Sequence, residues 1–246
     1  MFWILDTLRM RWKTIRMLNR RRKSVSDSAE DVVDAIFPHL SASHIIAGPP
    51  GPILPSHIVL YKAISAASVG EDFITPDCTL DQLLSALSTP AGGDFNSDRL
   101  AWYWTPLLSL AEAQRLWCAA RCPFAETWLL RIQIPVAFMA TLRREELRYD
   151  GEGCEWEEYV GLCRKKRFVP ARFDRFAEEA DVIVGDICGR AIIAGGKGEV
   201  VRLPLEEDGG KATQVVFMNG RVVQEVARWI SGRTHITITA ALVSRL

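Results

Sequence analysis

The chain has no run of roughly 18 apolar residues, so no transmembrane helix is expected. A secretory leader is not evident either, because Arg9, Arg11 and Lys13 interrupt the apolar residues near the start. An intracellular location, cytoplasmic or nuclear, is the expectation, with organelle targeting left open. The six cysteines (Cys78, Cys118, Cys122, Cys154, Cys163, Cys188) show no CxxC spacing, and the four histidines (His39, His44, His57, His235) do not sit near them in pairs. No metal site is expected from that pattern, and reduced, buried thiols are. Net charge of one sign is missing too. Lys plus Arg and Asp plus Glu both number 30, so there is no global attraction to nucleic acid. AGGKGEV lacks the length and the Lys-Ser/Thr ending of a phosphate-binding loop, no GxGxxG opens a helix, and no GxSxG elbow occurs. The acidic pairs Glu157/Glu158 and Glu145/Glu146 are adjacent in sequence. On a helix such neighbours diverge by about 100°, which is not the facing pair a glycosidase needs.

What is present is unevenly spread. Residues 1–26 carry eight basic residues against the single acid Asp6, which leaves 22 basic against 29 acidic residues in the rest of the chain. Ile4, Leu5, Leu8, Trp12, Ile15 and Leu18 recur at helical spacing among those basic residues, which predicts an amphipathic helix followed by a disordered RRRKSVSDS. Three uses stay open for this arm: contact with a membrane surface or a targeting receptor, nuclear import through Arg20 to Lys23, or none. A short helix over Ala29 to Leu40 is expected next. The stretch AGPPGPILP from Ala47 to Pro55 excludes a helix interior or a central strand, since its prolines lack donors. Three regions follow: a basic helical arm over 1–40, a Pro/Gly linker over 41–55, and one domain over 56–246.

Within that domain HIVLYKAI alternates as a strand, TLDQLLSALSTP has helical spacing, and Ala91 to Arg99 reads as a loop. Trp102, Tyr103 and Trp104 predict a short two-faced strand that passes through Thr105-Pro106 into a helix, where Ala111, Ala113, Ala119 and Ala120 permit close packing. Strands are further expected over Thr127 to Pro135, ADVIVGDICG, ATQVVFMN and THITITAALV, and helices over WEEYVGLCRKKR and GRVVQEVARWI. The fold class that results is α+β with mainly antiparallel strands.

Four of these segments, taken in order, resemble the ADP-ribosyltransferase-like superfamily, and in particular a microbial and fungal branch of it. IVLYKAI stands where the family has a first strand of the form LYRG or LYHG. WYWTPLLSLAEAQRLWCAA stands at its aromatic strand and following helix. WEEYVGLCRKKR with DVIVGDICG resembles the branch's tryptophan-aromatic helix and Asp-Gly strand, and TQVVFMNGRVVQEVARWI its closing strand and helix. The resemblance implies a split, mainly antiparallel sheet with flanking helices. It also implies NAD as substrate, ADP-ribosyl transfer or a related glycosidic cleavage, and a protein or nucleic-acid acceptor. Cleavage passes through a ribosyl cation, so the site needs aromatic walls, a residue that grips ribose or phosphate, and a carboxylate.

Carried onto this chain, Tyr61 and Lys62 take the gripping position, with lysine as a point charge where arginine or histidine is usual. Tyr103, Trp104 and Thr105 become candidates for the pocket wall; alternation sends Tyr103 and Trp104 to opposite faces, so one or the other stacks on nicotinamide. Gln214 stands where an active transferase has glutamate, and an amide supplies no negative charge. Glu199, Glu206 and Glu207 are alternative carboxylates if the register differs, with a solvated loop as their default home. Glu157 and Glu158 lie on the expected helix beside Trp156, where one faces solvent by default and a catalytic role is the alternative. These departures leave a second expectation, a catalytically inactive binding module of the same fold.

Overall fold

The computed structural model describes residues 45–47, 51–68, 87–191, 199–202, 212–230 and 234–239. The basic arm, the helix expected over 29–40, most of TLDQLLSALSTP, and Glu206 and Glu207 lie outside the described residues. Ten strands are described: β1 (Ile45–Ala47), β2 (His57–Ser65), β3 (Trp102–Trp104), β4 (Thr127–Pro135), β5 (Arg144–Leu147), β6 (Val182–Asp186), β7 (Cys188–Ala191), β8 (Glu199–Arg202), β9 (Thr213–Phe217) and β10 (Thr234–Thr239). The α-helices are α1 (Leu108–Arg121), the single turn α2 (Val136–Met139), α3 (Glu155–Arg164) and α4 (Gly220–Ile230).

Two four-stranded sheets, ordered β1-β10-β4-β2 and β3-β9-β6-β5, are accompanied by the hairpin β7-β8. All described pairings are antiparallel except β1 with β10 and β5 with β6. The expected α+β class with mainly antiparallel strands is therefore what the chain adopts.

Strand alternation explains the layers. In the first sheet Leu60, Trp128, Leu130, Ile132 and Ile134 point into one core, which Trp102, Trp104, Val182, Val184, Val215 and Phe217 of the second sheet share. Helix α4 closes the same core with Val222, Val223, Val226, Ala227 and Ile230, and Asn219 caps its start by accepting the Val222 N–H at 2.8 Å. The intervening residues Ile183 and Val216 face a second core against Trp156, Tyr159, Val160 and Cys163 of α3, with Phe95, Phe173 and Phe176. On the far face of the first sheet, Ala63 and Leu129 pack on Ala111 of α1. Ala111 and Ala119 are the buried alanines of that helix, whereas Ala113 and Ala120 face solvent.

Several boundaries differ from expectation, each for a local reason. Ile45–Ala47 forms an edge strand whose last residue opens the Pro/Gly stretch, and Gly51, Pro52 and Leu54 bond to side chains of β4. Arg131 and Gln133 are buried on β4, and buried polar groups need partners. Arg131 Nη1 donates to Gly51 O at 2.6 Å, Gln133 Nε2 donates to Pro52 O at 3.2 Å, and Gln133 Oε1 accepts the Leu54 N–H at 2.7 Å. Strand β5 has no apolar alternation to announce it, because REEL has one apolar residue and lies at a sheet edge. Glu145 and Glu146 are thus on a strand and point to opposite faces, not 100° apart on a helix; neither geometry makes a facing pair. The strand expected over ADVIVGDICG breaks between β6 and β7, where the Ile187 N–H bonds Ala212 O at 2.9 Å. Helix α3 stops at Arg164 because Lys166 turns to a left-handed φ of 51°.

Candidate functional site

The junction between the two sheets is built by Thr105. Its backbone pairs with Tyr61 in both directions, at 2.7 and 2.9 Å, and its hydroxyl donates to Thr213 O at 2.8 Å while accepting the Leu107 N–H at 3.2 Å. Thr105 thereby ties β2, the end of β3 and β9 together. Tyr61, Lys62, Tyr103, Trp104, Thr105 and Gln214, separated by up to about 150 residues in sequence, all fall on these three neighbouring segments.

Lys62 Nζ donates to Tyr103 O at 3.2 Å and lies 6.0 Å from the centroid of the Trp104 ring. No carboxylate lies within 4.0 Å of it among the described residues. Burial of the ammonium lowers its pKa from 10.5 to about 8. It is a cation held against an aromatic face and a carbonyl, without a counter-ion among the described residues.

Trp104 is 3% exposed in the shared core, so neither face of its ring is open. Tyr103 points to the opposite side and packs on the second core. Its hydroxyl donates to Asn96 Oδ1 at 2.7 Å and accepts the Phe95 N–H at 2.8 Å, and burial pushes its pKa well above the usual phenol value. This ring is a structural pin for the loop that precedes β3. Asn96 organises that loop. Its amide hydrogens reach the carbonyls of Thr89, Pro90 and Arg99 at 3.1, 3.1 and 2.8 Å, and its Oδ1 also takes the Gly93 N–H at 3.0 Å. Gly93 leaves no room for a side chain: a Cβ there would sit 2.4 Å from Asn96 Oδ1 and 2.5 Å from Tyr103 Oη.

The loop delivers Asp94 to Gln214, which is 5% exposed. Gln214 Nε2 donates to Asp94 Oδ2 at 2.9 Å and to the backbone O of Asp186 at 3.4 Å. Asp94 also accepts the Cys188 N–H at 2.9 Å and pairs with Arg164 at 2.7 Å, and Arg164 Nη2 reaches Cys188 O at 2.6 Å. On the other side Asp186, fully buried, pairs with Arg148 at 3.1 Å and accepts the Tyr149 N–H at 3.0 Å. Trp156 Nε1 donates to Asp186 O at 2.9 Å. Two Asp–Arg pairs with buried carboxylates thus flank one amide. Removing a partner from such a network leaves a buried charge or donor unsatisfied.

Other acidic candidates serve local ends. Glu157 Oε2 accepts the Gly153 N–H at 2.7 Å near the start of α3, and Glu158 pairs with Arg172 at the surface. Glu199 lies in the hairpin strand β8. Asp94, Asn96 and Arg148 lie outside the four segments of the resemblance, and Arg164, though inside WEEYVGLCRKKR, carries no sequence signal of its place here. A weak signal exists for Asp186 alone, a charged residue closing the apolar run VIVGD, since a buried carboxylate requires a partner. No group of three or more metal-ligating side chains occurs among the described residues. Comparison with family models, with curated proteins and with solved structures finds no match.

Proposed function

We propose that the chain is an ADP-ribosyltransferase-like domain that works as a binding module and not as a transferase. The observation that carries this reading is the commitment of Gln214. Its amide is buried and spent on Asp94 and on the Asp186 carbonyl, so at the position where a transferase needs a free carboxylate there is a structural donor. Support for the family layout comes from the meeting of β2, β3 and β9 at Thr105, which gathers the residues that the resemblance selects.

NAD fits that junction in part. Lys62, a cation without a counter-ion among the described residues, suits a phosphate. The nicotinamide end lacks a wall, because Trp104 is covered and Tyr103 is pinned by its hydroxyl. The ligand is therefore an anionic nucleotide, held by its phosphates and left intact. Titration calorimetry of the full chain with NAD and with ADP-ribose is expected to give binding that weakens about tenfold or more in Lys62→Gln, which removes one charge-assisted hydrogen bond. No heat with either ligand at millimolar concentration would overturn it.

One observation favours catalysis as a second reading. Asp94 puts a carboxylate oxygen 2.9 Å from the Gln214 amide, so negative charge is present beside the expected position even though residue 214 does not carry it. Nicotinamide release by the wild-type chain, lost in Asp94→Asn with the fold retained by circular dichroism, would decide for ADP-ribosyl transfer or NAD cleavage.

A further inference from the structure

The end of α3 carries a feature that the sheet junction does not use. After Arg164 the chain reads Lys165-Lys166-Arg167-Phe168, and all four are exposed, Phe168 at 88%. A phenylalanine left in water at the end of a basic run is not explained by packing. Nor is it explained by the tendency of lysine and arginine to sit at helix C-termini, which accounts for the cations only.

The segment is tied back to the helix by its backbone. The Lys166 N–H bonds Cys163 O at 2.9 Å and the Arg167 N–H bonds Leu162 O at 3.0 Å, which closes the helix while Lys166 takes its left-handed φ of 51°. A left-handed non-glycine residue costs free energy and is retained where the surroundings impose it. On the far side the Phe173 N–H bonds Pro170 O at 2.9 Å, and Phe173 and Phe176 are buried in the second core. The Lys166 stem also lies over Gly92, where a Cβ would meet Lys166 Cε at 2.7 Å. Phe168 is therefore displayed from a clamped turn beside the Asn96 loop.

Charge around the turn is biased by the pairing of its neighbours. Glu155 is paired with Arg175, Glu158 with Arg172, Glu178 with Arg99, and Asp94 with Arg164. Lys165, Lys166 and Arg167 have no acidic partner within 4.0 Å among the described residues. Outside residues 1–26 the chain has seven more acidic than basic residues, 29 against 22, so three adjacent cations of this kind are a local exception.

We propose that Lys165 to Phe168 is a docking surface for single-stranded nucleic acid. A base stacks on the open Phe168 ring, and the flanking phosphates pair with Lys165, Lys166 and Arg167. A single exposed ring suits a base face, whereas lying in a bilayer interface calls for a broad apolar face, and Leu162, Val169 and Pro170 beside it are partly buried. The proposal stands apart from the nucleotide reading of the sheet junction and survives its failure.

The test is fluorescence anisotropy of a labelled 12-residue oligothymidylate with the full chain over a salt series. Full-length variants keep the basic arm constant. Phe168→Ala is expected to weaken binding roughly 5- to 150-fold, the range for one stacked base, and Phe168→Trp to preserve it. The pair Lys165→Gln and Arg167→Gln is expected to flatten the dependence of log affinity on log salt by about 0.7 for each phosphate of the single strand no longer neutralised. A blunt duplex of equal length, its bases stacked internally, is expected to bind more weakly and to be insensitive to Phe168→Ala. Unchanged affinity for the single strand in Phe168→Ala would overturn the proposal. So would Phe168-dependent capture by vesicles containing phosphatidylserine without Phe168-dependent binding of the oligonucleotide, because the surface would then belong to a membrane contact.

Discussion

Gln214 and Lys62 show how differently two polar side chains on neighbouring segments can be used. Gln214→Glu would set a second carboxylate against Asp94 Oδ2 and the Asp186 carbonyl, replacing a donor with an acceptor in a buried place. It is expected to cost about 2–4 kcal/mol in urea denaturation. Adding Asp94→Asn restores one donor and is expected to recover part of that loss. A double-mutant cycle with no coupling would show that the two side chains do not interact. For Lys62 the folded pKa of about 8 lies below the 10.5 of the unfolded chain. At pH 7 both states carry the proton, so the whole cost of burying it is present, and that cost is relieved as pH rises from 8 to 10.5. Lys62→Met is expected to stabilise the fold at pH 7 by about 1–3 kcal/mol, the residue keeping part of its surface exposed, with the gain shrinking by pH 10. A gain that persists unchanged at pH 10 would assign it to packing instead.

Elements differ in how plainly the sequence announces them, and the reason is where their side chains go. Thr127–Pro135 and Gly220–Ile230 have the bounds expected, because an uninterrupted apolar alternation and a helical stripe face cores along their whole length. Arg144–Leu147 is silent in the sequence because its apolar content is one leucine and its parallel pairing with β6 is a tertiary choice. The Asn96 loop is legible as a loop, but not as the holder of Asp94, since the hydrogen bonds that fix Asn96 run largely to backbone carbonyls that no residue type announces. Lys62, Thr105 and Gln214 stand out only through a resemblance; their convergence depends on strand order. Asn96→Ala is expected to release the loop, costing about 3 kcal/mol or more because several buried groups lose partners at once, and to raise amide exchange from Gly92 to Arg99. Wild-type protection in that variant would mean the loop is held by other interactions.

For the whole molecule, the two sheets share one core and are covered on their outer faces by α1 and α3. The edge toward β10 has its own pH dependence. His235 faces Arg131 across the β10–β4 pairing, and burial followed by the nearby guanidinium lowers its pKa below 6.5. The unfolded chain therefore binds this proton more readily, so the contribution is complete above pH 6.5 and is lost as pH falls below it. Urea midpoints at pH 8 and pH 5 are expected to differ less in His235→Gln than in the wild type. An equal difference would place the acid sensitivity elsewhere.

Whether the sheet junction binds without reacting is decided by nicotinamide release from millimolar NAD, followed chromatographically for the intact chain and for Gln214→Glu. A buried Gln214 predicts release at the uncatalysed rate in both, because position 214 is enclosed beside Asp94 and Asp186 and does not open toward a ligand. Turnover by the intact chain, or a rise on Gln214→Glu, would contradict it.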